Sequence, residues 1–314
     1  LRSIPFVLAA AAALLLPAPP TRGGDAAPAD ISRIARVEPT ILVPRLTYEL
    51  EQGIVAQLDL KNPSILPVEV PAACLSMEAL RLARLGVETP LKGSGRIGDG
   101  KGFVLAPGGD MKIDLVVSRM YRLKELGRYR LSWACGEFHT PHYDFFVTTS
   151  YDREKDRIAV LTTDLGTLEL VLMPEQAPEH VRNFVELARA GYYDGVMFYR
   201  VLRGVEADTG DPTGTGTGGW DHQLAPEIDP GIRPGKGLVG ALRRESSMTS
   251  ATNFFILLDV QPGFQGLHTF FAYVRGGMEV LDALSGVEIS GQSGLSAFRP
   301  VNPVAIRKIE IKAP

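Results

Sequence analysis

Apolar and polar residues alternate through long stretches of this chain. Ile54, Ala56, Leu58 and Leu60 alternate with Val55, Gln57, Asp59 and Lys61. A period of two marks a strand with one buried face, because successive side chains leave the pleat on opposite sides. Asn62, Pro63 and Ser64 end that strand, since proline cannot donate to the ladder and asparagine favours turns. Further strands are expected over residues 40–46, 66–70, 80–85, 112–117 and 129–133, separated by turns rich in Gly, Pro and Asp. Many short strands with frequent turn signals predict a β-sandwich over residues 37–148, loosely immunoglobulin-like.

Residues 149–156 are charged and carry no apolar period, which predicts a linker between two domains. Beyond it Ile158, Val160 and Thr162 alternate. After Asp164, Leu165 and Gly166 so do Leu168, Leu170 and Leu172, as in a hairpin. The period then lengthens: Pro178 stands at a helix start, and Val181, Phe184, Val185 and Ala188 recur at helical spacing before Gly191. The whole is mainly β, with residues 157–314 as the second domain.

The N-terminus differs. Residues 4–16 read IPFVLAAAAALLL behind Arg2, the length of a signal-peptide core and short for a bilayer span. Ala27-Pro28-Ala29 offers a small-residue cleavage site. The expectation is a leader over 1–29, a tether over 30–36, a periplasmic or secreted product, and no stable membrane insertion after cleavage.

Composition adds little except through the cysteines. A formal charge of −3 over 314 residues gives no reason to expect a nucleic-acid partner. The two cysteines, Cys74 and Cys135, fall in the first domain. In an exported protein such a pair is most economically a disulfide, with two buried thiols as the alternative, and no C-x-x-C suggests redox work. His139 and His142 flank Thr140-Pro141 and read as an exposed loop; no metal or cofactor is implied. The glycine run 214–219 is followed by no G-K-[ST] and reads as a long turn, not a phosphate loop.

Three blocks bear candidate chemistry. The first is Tyr193-Asp194-Gly195-Val196-Met197-Phe198-Tyr199-Arg200-Val201, followed by the glycine loop that starts at Gly210-Asp211-Pro212-Thr213. The second is Ala251-Thr252-Asn253-Phe254-Phe255-Ile256, and the third Gly266-Leu267-His268-Thr269-Phe270-Phe271. In this order the blocks resemble the cyclophilin-type peptidyl-prolyl isomerases, with Y-D-G-x-x-F-H-R-V, G-S-Q-F-F-I and G-x-H-x-V-F. The resemblance runs from about Arg157 to the C-terminus. It implies an eight-stranded antiparallel β-barrel capped by two helices, the second over 278–284, with a last strand over 304–312, proline-containing polypeptides as partners and isomerase activity without a cofactor. It further implies Arg200 as the catalytic residue, Phe255 as the pocket floor, His268 at its rim, Asn253 on the substrate backbone and Phe264 along the wall. Tyr199 replaces the usual histidine. Val205, Glu206 and Asp208 stand where the family has Phe, Met and Gln, and Arg244 lies in the segment aligned with a peptide-backbone contact. A carboxylate at Asp208 is placed to pair with Arg200. Two readings follow: a weakened exported isomerase serving envelope or secreted proteins, or a catalytically poor scaffold that binds proline-containing segments. A structural envelope protein whose sandwich carries the function is a third.

Overall fold

The computed structural model describes residues 36–87, 90–219, 222–243, 247–291 and 297–314. The expected leader, the tether up to residue 35, and Arg244 lie outside the described residues.

In the first half two sheets share one core. Glu38–Leu42, Val55–Lys61 and Asp110–Val116 form an antiparallel three-stranded sheet. Thr47–Glu49, Tyr143–Thr148, Gly127–Cys135 and Leu80–Arg84 form the second, with Thr47–Glu49 parallel to Tyr143–Thr148. Ala56, Leu58, Leu60 and Leu115 from one sheet meet Leu82, Leu131, Trp133 and Phe145 from the other in one buried cluster. The strand expected over 40–46 ends at Leu42, ahead of Pro44, which lacks the N–H a ladder needs, and a separate short strand begins at Thr47. Tyr143–Thr148 is a strand that periodicity did not reveal: its last four residues are all buried, so no alternation shows.

Residues 149–156 are not a free tether. Tyr151 packs on the second core, Asp156 is buried and paired with Arg189, and Arg189 Nη1 donates to the Ser150 carbonyl at 2.7 Å.

In the second half, strands pair in the order Arg200–Leu202, Glu206–Thr209, Thr249–Leu257, Leu238–Arg243, Phe270–Gly276, Gly166–Leu172, Ile158–Thr163 and Ile306–Lys312. All eight pair antiparallel with their neighbours. The two ends of this sheet approach each other: Phe198 N donates to Val304 O at 2.9 Å, Ile306 N to Val196 O at 2.8 Å, and Met197 bridges Ala305. Leu168, Leu170 and Leu172 face the core as their alternation predicts, but in Ile158–Thr163 the inward residues are Ala159 and Leu161, which pair with Leu170 and Leu168.

Two helices pack on this sheet, Pro178–Arg189 and Met278–Gly286. Val181, Phe184, Val185 and Ala188 of the first are buried, as their spacing predicts. Its start is held from afar. Glu227 accepts backbone N–H bonds from Glu179 at 3.1 Å and His180 at 3.0 Å, satisfying two of the donors that a helix N-terminus leaves unpaired.

Candidate functional site

Alternation puts a second, smaller cluster on the outer face of the sheet. Phe254 and Ile256 point to the main core, so Phe255 and Leu257 point outward, where they meet Leu238 and Phe270. Register then aligns one row across five strands: Arg200 opposite Asp208, Asp208 opposite Phe255, Phe255 opposite Gly240, and Gly240 opposite Phe270. Gly240 is the gap in that row. A Cβ there would stand 2.4 Å from Phe255 Cζ, so only glycine lets the ring lie flat across the neighbouring strand.

Aromatic rings surround Phe255. Its ring lies edge-on to His268 at 5.1 Å and to Phe264 at 5.8 Å, and Phe264 stacks on His268 at 4.7 Å. Phe264 is carried by the short turn Pro262–Phe264, which projects over the sheet. His268 Nδ1 is buried with no hydrogen-bond partner, and burial pulls the imidazole pKa below its ordinary value, so the ring is neutral near pH 7.

Beside the rings stands Arg200, its side chain 37% exposed, with two carboxylates on a single nitrogen. Nη1 donates to Asp208 Oδ2 at 2.6 Å and to Glu206 Oε1 at 2.9 Å. Strand parity makes this unavoidable: residues 206 and 208 share a face, and the hairpin register brings that face to Arg200. Asp208 is buried and its Oδ1 has no partner. Burial, and then the neighbouring Glu206 charge, push the Asp208 carboxyl up to about 7 against the pull of Arg200. Burial raises Glu206 as well, opposed by Arg200. For Arg200, burial alone would lower the pKa, but Asp208 and then Glu206 outweigh it and the guanidinium stays charged. Among the described residues its Nε and Nη2 groups carry no hydrogen bond, which leaves donors for a ligand.

The remaining sequence candidates are placed differently. Val205 lies in the turn between the arginine strand and the acidic strand, its carbonyl paired with Leu258 N at 2.9 Å, and it is not in the aromatic cluster. Asn253 is buried and spends its amide on the Gly218 carbonyl at 3.0 Å, so it holds the glycine loop instead of presenting a free amide. Tyr199 lies under the same loop, close enough that a Cβ on Gly216 would come within 3.0 Å of its ring. The loop is organised by buried Asp211, which accepts from the backbone of Thr213, Thr215, Gly216 and Gly218.

Sequence reasoning missed Gly240, Phe270 and the second carboxylate on Arg200. Parity alone would have found Glu206, since it stands two residues from Asp208 on one strand.

A different constellation looks catalytic and is not. His180 Nδ1 faces Glu227 Oε2 at 2.6 Å and its Nε2 meets the Thr249 hydroxyl at 2.7 Å, the order of a nucleophile triad. Thr249 and His180 are buried, and the adjoining cavity measures about 10 Å³, room for no substrate. The network anchors a helix.

Comparison with known proteins bears on this half of the chain. A family profile described as cyclophilin type peptidyl-prolyl cis-trans isomerase/CLD matches residues 157–311. A peptidyl-prolyl cis-trans isomerase-like 1 of Aspergillus fumigatus is 34% identical over 155 residues, covering 48% of this chain and 93% of the relative. A peptidylprolyl isomerase domain and WD repeat-containing protein 1 of Mus musculus is 32% identical over 157 residues, 49% of this chain but only 24% of that larger protein. A crystal structure of a Cryptosporidium parvum cyclophilin type isomerase, obtained in the presence of the dipeptide Ala-Pro, is 26% identical, with a TM-score of 0.47. It covers 50% of this chain and 100% of that one.

Proposed function

Since this chain belongs to the cyclophilin-type peptidyl-prolyl cis-trans isomerases, we propose that it is an exported isomerase of X-Pro bonds, with Arg200 as its catalytic residue and Phe255 as the floor of its proline pocket. The observation that carries this reading is the single row that sets a guanidinium beside a buried aromatic cluster. An X-Pro bond turns slowly because its C–N bond is partly double, with a barrier of about 18–20 kcal/mol. No nucleophile is needed. A guanidinium N–H that bonds the prolyl nitrogen only as it pyramidalises favours the transition state over both isomers. The rings of Phe255, Phe264 and His268 hold the pyrrolidine while the other side of the bond rotates.

Export rests on the apolar run 4–16 and on the cysteine pair, and the clients are then envelope or secreted polypeptides. Sγ atoms of Cys74 and Cys135 stand within bonding distance, with Cα atoms 5.2 Å apart, which suits an oxidised bridge in such a compartment. We assign residues 37–148 to an N-terminal sandwich, loosely immunoglobulin-like, on the strength of its two sheets and one core. The isomerase unit is residues 157–314.

One observation favours a second reading, a scaffold that binds proline segments and turns them over poorly. Both carboxylates draw Arg200 through the same nitrogen, and the transition state must compete with them. The two readings separate by exchange spectroscopy on an Ala-Pro peptide with the full chain. Faster exchange that Arg200→Ala reduces by about tenfold or more, equivalent to about 1.4 kcal/mol of lost transition-state binding, supports the enzyme. Binding of the peptide with exchange at the uncatalysed rate supports the scaffold.

A further inference from the structure

The two halves meet through a few directed contacts. The Thr47 hydroxyl donates to the buried Glu186 carboxylate of helix Pro178–Arg189, and Arg45 stands 3.8 Å from the same group. Tyr143, whose hydroxyl donates to Val43 O at 2.9 Å, also bonds the His222 ring. Phe146 reaches from the first half into the second core and lies edge-on to Tyr192 at 5.5 Å.

These contacts enclose a cavity of about 270 Å³ between the halves. Arg128, His142 and Asp144 line it from the first half, and Tyr192, Gly218 and Gly219 from the second. The volume is below the roughly 300–1,000 Å³ of small-molecule sites and suits one or two amino-acid side chains. Asp144 accepts from Arg128 of the cavity wall at 2.6 Å and from Arg130 just outside that wall at 2.7 Å, so this group of three charges carries a net positive charge at the edge of the cleft.

The cavity is also next to the proline site. Thr252 lines it, while the following residue, Asn253, belongs to the outward face that carries Phe255. Asn253 holds the carbonyl of Gly218, and Gly218 is itself part of the cavity wall. An extended chain rises about 3.3 Å per residue, so a polypeptide seated by its proline on Phe255 crosses this wall within about three to five residues.

We propose that the cleft between the two halves is an accessory substrate site, which takes an acidic side chain of the polypeptide a few residues from the isomerised proline. The inference rests on the reading of Arg200 and Phe255 as the proline site. It gives the first half a function: Arg128 and its neighbours select among proline-containing segments.

The test uses the full chain and three peptides: a tetrapeptide containing Ala-Pro, a decapeptide with glutamates on both sides of the same Ala-Pro, and its glutamine analogue. The expected result is that the glutamate decapeptide binds about tenfold more tightly than the tetrapeptide, with the glutamine form in between. The amide resonances of residues 143–146 should shift with the decapeptide and not with the tetrapeptide. In Arg128→Ala/His142→Ala the ratio between long and short peptides should fall toward one. Both side chains are solvent-accessible, and the resonance shifts in the unmodified protein decide the matter should the variant fold poorly. Equal affinity for long and short peptides, or no shifts at 143–146, overturns the proposal. Absence of isomerisation of all three peptides would count against the enzyme reading alone, because the binding shifts are read without turnover.

Discussion

Arg200, Glu206 and Asp208 form a three-charge group in which one cation faces two anions. Burial makes the second negative charge costly, and the group answers by holding a proton on Asp208 up to about 7 instead of the ordinary 3.8. Between those values the folded state binds more protons than the unfolded chain, so this group's stabilising contribution is full at low pH and is lost as pH rises through about 7. His180 and His268, both lowered by burial, act in the opposite direction as pH falls below their ordinary 6.5. The comparison with Asp208→Asn isolates the carboxyl. We expect the variant to gain stability relative to the parent above pH 7 and to show a smaller difference at pH 5, measured by urea midpoints. Catalysis should follow the same proton. Protonated Asp208 loosens its hold on Arg200, so exchange of an Ala-Pro peptide should quicken as pH falls from 8 to 6. Asp208→Asn should be faster than the parent at pH 8 and lose that pH step. A parent rate flat across this range would show that the pair does not restrain the arginine.

Among the elements, helix Pro178–Arg189 shows how a local signal and a distant partner combine. Its start is legible, since Pro178 presets φ and lacks the N–H that would go unpaired. Its cap is not, because no side chain at Ala177 serves and the acceptor comes from Glu227, far along the chain. Glu227→Ala removes an acceptor from two backbone donors and from the His180 ring. A loss of about 1–3 kcal/mol is expected from buried groups left unpaired, read as a shift in denaturation midpoint. If the arrangement worked as a nucleophile triad, Thr249→Val would remove some hydrolytic activity; as an anchor it changes stability only. The outer-face row has the same mixed origin. Each strand's parity can be read along the chain, but the order that sets Arg200, Asp208, Phe255 and Gly240 side by side comes from pairing between strands remote in sequence.

At the scale of the whole molecule the halves are bound more closely than a charged linker suggests. Phe146, Tyr151 and Leu46 pack on the second core, and Thr47 and Arg45 converge on Glu186. In the first half the sulfurs of Cys74 and Cys135, 61 residues apart in sequence, stand within bonding distance near Trp133, whose indole donates to the Cys74 carbonyl at 2.8 Å. Closing a loop of that length in the unfolded chain should be worth about 2–4 kcal/mol. Cys74→Ala/Cys135→Ala is therefore expected to lower the denaturation midpoint of the first half by that amount, and reductant should lower the parent's midpoint without affecting the variant's. An equal response of both proteins to reductant would show that the thiols are not joined.

What could be read from the chain alone was whatever depends on neighbours in sequence: the period-two strands, the helix from Pro178, the turns at glycine and proline, and the three blocks that carry Arg200, Phe255 and His268. The resemblance also pointed to Asp208 as a partner for Arg200, through the carboxylate that stands in place of the family's glutamine. Tertiary structure decided the rest. Which face of Ile158–Thr163 turns inward follows from its partner strand, not from its own alternation. Asn253 is committed to Gly218, Tyr199 to the underside of the glycine loop, and Val205 to a turn, because each contact is made with a segment that sequence leaves unplaced. The shared nitrogen on Arg200 and the cavity beside Arg128 have the same origin. Charge and volume there are set by groups far apart in the chain, and only the folded register brings them within a few ångströms.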